Sequence, residues 1–166
     1  MLRQLLRGTA AGAAGTTALN IATYLDIATR GRASSEVPEK VAGTLTQAVG
    51  IPLEAEANSN GNISDEEQQQ AQHRLTGLGA LMGYATGLGI GALYGLARPL
   101  LGRRVSVPLA GLVLGAAAMA TSDVPATVTG ATNPKTWGAS GWAADIIPHA
   151  IYGLVTVMVY EANADN

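Results

Sequence analysis

The chain reads as an all-α, polytopic membrane protein: four transmembrane helices packed through glycine ridges, with a polar loop and a short amphipathic helix between the first two. Three observations predict this. Gly79, Gly83, Gly87, Gly91 and Gly95 recur at every fourth position inside the uncharged stretch from Leu75 to Ala97. In water each such glycine costs a helix roughly 1 kcal/mol relative to alanine. In lipid no water competes for the backbone, and a bare glycine ridge lets a neighbouring helix come close. The second observation is that hydrophobicity is gathered into blocks of nearly the roughly 20 residues that span a bilayer: Gly8 to Leu25, Leu75 to Ala97, Val105 to Ser122 and Gly138 to Tyr160. The third is that charge lies almost wholly between the blocks, Asp145 being the exception within the fourth.

The chain is 166 residues long with no cysteine and a net charge of −2. One membrane domain over residues 1–166 is therefore expected, with spans at about 5–28, 75–98, 105–122 and 138–160 and an extramembrane loop at about 31–74. The lack of cysteine excludes disulfides, thiolate metal sites and thiol nucleophiles. No basic run interleaved with aromatics is present, so nucleic acid is not an expected partner. The segment Met1 to Arg7 has the charge of a signal-peptide start, but a Gly/Ala/Thr-rich stretch follows instead of a leucine-rich one. It is read as a retained helix.

The first helix carries Thr9, Thr16, Thr17, Asn20 and Thr23 and is barely apolar, so it is expected to be shielded from lipid by the other three. It should end near Gly31, where glycine suits a left-handed cap and Arg30 faces the negative end of the helix dipole. In the loop, Ser34-Ser35-Glu36 caps a short helix with Val37, Val41, Leu45 and Ala48/Val49 on one face, placed on the bundle end or in the lipid interface. Gly50-Ile51-Pro52 stops it and Asn58 to Asn62 is turn chemistry.

Ser64 and Glu67 form a capping box with an acidic first turn, and no proline lies between Ser64 and Pro99. One helix is therefore expected from Asp65 to Arg98, roughly 50 Å long, with its glutamine-rich start outside the membrane. Leu100 to Arg104 is a short connection. The third span carries Gly111 and Gly115 and ends at Asp123-Val124-Pro125. Trp137 and Trp142 mark re-entry at one interface and Tyr160 the aromatic belt at the other.

Basic residues balance across the membrane, with Arg3, Arg7, Arg98, Arg103 and Arg104 on one side against Arg30, Arg32, Lys40, Arg74 and Lys135 on the other. The compact cluster in the Pro99 to Arg104 connection places both termini in the cytoplasm.

Alternating helices bring Asp26, His73/Arg74, Asp123, Asp145 and His149 to one end of the bundle. Asp145 and His149 are four apart and share a helix face. The functional reading is a polar site in which Asp26, Asp123 and Asp145 bind a cation or relay protons while His149 titrates, or in which carboxylate and imidazole ligate a metal. The plain alternative is a hydrogen-bonded staple: Asp145 to His149 or Arg74, Asp26 to Arg30, Asp123 capping a turn. Pro148 beside His149 removes a backbone donor there. The remaining polar site metal content is open, and no cofactor is indicated. The helix-packing residues are Gly12, Gly79, Gly83, Gly87, Gly91, Gly95, Gly111 and Gly115, with Gly8 and Gly15 extending the first ridge. No His-Glu-x-x-His or Ser-His-Asp signature is legible, so no hydrolase is indicated.

Arg7 to Asn20, Ala118 to Pro125 and Asp145 to Gly153 together resemble a group of small, uncharacterised bacterial integral membrane proteins. The resemblance implies a four-helix form in the bacterial cytoplasmic membrane and transfers no catalytic role. The expected function is structural or accessory, the chain packing with itself or another membrane protein in the lipid bilayer. The alternative is a small ion- or proton-coupled transporter or channel that uses Asp145 and His149.

Overall fold

A computed structural model describes residues 1–51, 53, 63–101 and 105–164. The described residues are all-α and form five helices, α1 Leu2–Arg30, α2 Val37–Ala48, α3 Asp65–Leu101, α4 Val107–Val128 and α5 Gly138–Ala164, with a short 3₁₀ turn at Pro134–Thr136. The expected stop at Pro52, the turn at Asn58 to Asn62, and Arg103 and Arg104 lie outside the described residues.

Helices α3, α4 and α5 are long and apolar enough to cross a membrane. α1 has the length, at 29 residues, but its threonines lower its hydropathy. Those hydroxyls are satisfied within the helix: Thr9, Thr16 and Thr17 donate to the carbonyls of Leu5, Gly12 and Ala13, four residues back, at 2.8–2.9 Å. Bonded this way, the three hydroxyls need no acceptor outside the helix. α1 ends where glycine permits it, at Gly31 with φ 63°, whose N–H donates to the Ile27 carbonyl.

Glycine determines how the long helices meet. A Cβ on Gly91 would stand 2.5 Å from both the Cα of Gly12 and the carbonyl oxygen of Gly8, and one on Gly12 would stand 2.6 Å from the Gly87 oxygen. Gly8 faces Gly95, Gly12 faces Gly91 and Thr16 faces Gly87. The pairing runs up one helix and down the other, so α1 and α3 are antiparallel. Gly111 faces Leu154 and Gly115 faces Ala150, so α4 and α5 are antiparallel as well. Tyr152 reaches Gly87 and Tyr160 reaches Gly95, which makes α3 and α5 parallel. The four long helices therefore alternate in direction. α1 packs between α3 and α5, and α4 packs on α5.

Several expectations change. α1 is central but not shielded: Leu2, Leu6, Ile21, Tyr24 and Leu25 are exposed, because α3 and α5 cover only two of its faces. Gly83 does not pack: among the described residues a Cβ there would meet nothing within 4 Å. Four residues advance an α-helix about 40° beyond a full turn, so a strict fourfold ridge winds around the helix. It presents Gly79 to Pro38 of α2, Gly83 to open space, and Gly87, Gly91 and Gly95 to α1.

The expected face of α2 is divided. Val41, Ala42 and Gly43 are buried, whereas Leu45 and Val49 are exposed. Ser35 accepts from the Val37 N–H, at 3.2 Å.

Neither proline ends its helix. α3 runs on past Pro99 to Leu101, and α4 continues through Pro125 to Val128. A proline removes one backbone donor and crowds the preceding turn. At Pro99 the deprived acceptor is the Gly95 carbonyl, and the Tyr160 hydroxyl takes the missing donor's place at 3.1 Å. Tyr160 is therefore buried rather than part of a lipid-facing belt. Beside it, Tyr94 packs edge-on against Tyr160 with ring centroids 5.3 Å apart, and Arg98 pairs with Glu161.

Candidate functional site

The polar site forms where the last turns of α4 meet the first half of α5. Gly115 brings the two helices together: a Cβ there would stand 2.5 Å from the His149 carbonyl oxygen. Ser122 lies seven residues beyond Gly115, on the same helical face, and so reaches the His149 ring.

On α5, the Nδ1 of His149 is 3.1 Å from Asp145 Oδ1 and 2.9 Å from the Asp145 backbone oxygen. The backbone oxygen can only accept, so Nδ1 carries a proton in this geometry. The other nitrogen, Nε2, faces α4 and lies 3.5 Å from Ser122 Oγ. The same oxygen bonds the Met119 carbonyl at 2.8 Å and lies 3.4 Å from Asp123 Oδ1. Asp145, His149, Ser122 and Asp123 thus form one cluster across the α4–α5 seam, in which the Asp123 and Asp145 carboxyls also meet. Ser122 is exposed, Asp123 is partly buried, and the side chains of Asp145 and His149 are each about four-fifths buried or more. The second carboxylate oxygen of Asp145, Oδ2, is buried and has no hydrogen-bond partner among the described residues.

Asp26 is held elsewhere. Arg30 and Arg32 both bond its carboxylate, at 2.6 Å and 2.5 Å, and Arg30 also donates to Ser140 at the start of α5. The expected Asp26–Arg30 pair is present, and Arg32 completes a three-residue knot that joins the end of α1 to α5. His73 and Arg74 line a shallow groove on the outer stalk of α3 with Glu66, Gln69 and Gln70. Asp123 does not cap a turn, because α4 continues beyond it. Among the described residues no group of three or more His, Asp or Glu side chains is arranged to hold a metal ion.

Ser122 is the residue that sequence reasoning missed. Its signal was present: Gly111, Gly115, Ala118 and Ser122 continue one face of α4 at helical spacing. Gly153, opposite Gly111 and Gly115, was missed as a packing residue for a similar reason, since it belongs to no ridge of its own. At the same end of the bundle, Trp137 donates from its indole to Thr132 at 2.8 Å and its ring lies 5.0 Å from that of Trp142. No family model, no curated protein and no solved structure matches the chain.

Proposed function

We propose that the chain is a multi-pass protein of the bacterial cytoplasmic membrane, with α1 as the fourth span, acting as a structural or accessory component that packs with itself or another membrane protein. The observation that carries this reading is the distribution of side-chain size. Glycine, alanine and threonine, with Tyr94, Tyr152, Val157 and Tyr160 among them, fill the seams between helices, while Leu81, Leu93, Leu112, Val113 and Met158 are exposed. A water-soluble bundle places its large apolar side chains inward, and a lipid-solvated one has no need to. Seams of backbone on backbone make a rigid unit with an apolar outer surface available to lipid and to other helices.

The test is purification in mild detergent followed by identification of stable partners and measurement of oligomeric state. Copurification of a defined membrane partner, or a stable homo-oligomer, supports the accessory role. A lone monomer that retains nothing contradicts it.

A second reading is favoured by one observation, the buried Oδ2 of Asp145, without a donor among the described residues, in a line that leads to an exposed serine. Ionisable groups inside a span are costly and mark ion or proton pathways. On this reading the chain is a small ion- or proton-coupled transporter or channel. Reconstituted vesicles without flux, or with flux unchanged by Asp145→Asn and His149→Ala, remove it.

A further inference from the structure

We infer that the ligand of the α4–α5 polar line is a proton exchanged with water at that end of the bundle, taken up and released at His149 Nε2 through Ser122. This rests on the transport reading for its purpose, but not for its chemistry.

The atoms of the line restrict what it can hold. His149 Nδ1 is committed to Asp145, by way of both Oδ1 and the backbone oxygen. That leaves Nε2 as the nitrogen free to gain or lose a proton, and it points across the seam at Ser122 Oγ rather than into the lipid. Ser122 is exposed and lies six residues before the end of α4 at Val128, so the outer end of the line stands near the end of the bundle, where the proposal places its exchange with water. A hydroxyl both donates and accepts, and can pass a proton on by rotating. Uptake is balanced simply: hydronium delivers a proton to Nε2 by way of the serine and leaves water, and the imidazolium formed is held by the Asp145 carboxylate.

A metal ion fits less well. The described residues offer no set of three ligands, and Nδ1 is occupied. The charged groups that meet the imidazole are Asp145 on its own helix and Asp123 on α4. The charges at the end of α1, Asp26, Arg30 and Arg32, are bonded to one another and to Ser140. Gly115 fixes the spacing, because α4 and α5 are already in backbone contact beside His149.

The chain contains two histidines, His73 and His149. Nitrogen NMR of the full chain in lipid nanodiscs, with His73→Gln as background, therefore reads His149 alone. The expected result is an Nε2 resonance that moves between its neutral and protonated positions as pH is varied, while Nδ1 remains protonated throughout. Ser122→Ala, an exposed and mild change, should slow exchange of the Nε2 proton with water several-fold and leave the Nδ1 signal in place. An Nε2 resonance that stays fixed over the pH range in which the protein is folded overturns the proposal. So does an unchanged exchange rate in Ser122→Ala, or an Nε2 shift produced by stoichiometric zinc at constant pH. Proton flux in vesicles is measured in parallel: titration of Nε2 without flux removes the transport reading and leaves the proton site standing.

Discussion

The Tyr160 hydroxyl donates to the Gly95 carbonyl, at 3.1 Å, where Pro99 has removed the helical donor. The pair explains why α3 passes its proline without breaking and why a tyrosine near the end of α5 is buried. Tyr160→Phe should destabilise the bundle by about 1–3 kcal/mol, the cost of leaving a buried acceptor unpaired. Pro99→Ala restores the backbone donor, so the double variant should recover much of that loss. Unfolding in detergent of the two single variants and the double variant, analysed as a cycle, checks the coupling.

The glycines of α3 should differ sharply in tolerance. Gly91→Ala places a methyl 2.5 Å from Gly12 Cα and Gly8 O, both backbone atoms that yield only if α1 and α3 separate. Overpacking of this kind costs about 1–3 kcal/mol. Gly83→Ala meets nothing within 4 Å among the described residues and should be neutral or stabilising, since alanine favours the helix by up to roughly 1 kcal/mol. Thermal unfolding in one detergent ranks the two, and equal loss at both positions would contradict the seam.

The start of α3 should loosen in acid. Glu67 accepts from the Ser64 N–H at 3.1 Å and from its hydroxyl at 2.7 Å, and these bonds hold its carboxyl below the ordinary value of 4.5. A carboxyl lowered by folding stabilises the folded cap above its unfolded value, and that stabilisation is lost as pH falls through 4.5 and then through the folded value. Amide exchange in the first turn of α3 should rise over that window. Glu67→Gln should flatten the pH response.

Much of this was legible in the residues. The Gly31 cap, the Ser64/Glu67 box and the small-residue seams follow from local rules, which depend on spacing alone. The helix ends at Pro99 and Pro125 did not, because whether a proline stops a helix depends on what replaces the lost donor, and Tyr160 lies 61 residues beyond Pro99. Gly83 was misjudged because a period of four drifts around a helix of 3.6 residues per turn. At the polar site, the i, i+4 spacing of Asp145 and His149 predicted their contact. The pairing of Asp26 with Arg32 and of His149 with Ser122 depends on loop path and helix register, which a sequence pattern does not carry.

The central claim is that four helices, α1 among them, cross a membrane in alternating directions. Single cysteines are informative in a chain that has none. Leu2→Cys and Ser35→Cys flank α1, and Thr132→Cys lies between α4 and α5. In sealed vesicles with an impermeant thiol reagent, Ser35→Cys and Thr132→Cys should react from the same side and Leu2→Cys only from the other. Labelling of Leu2→Cys and Ser35→Cys from one side would show that α1 does not cross, and would contradict the account.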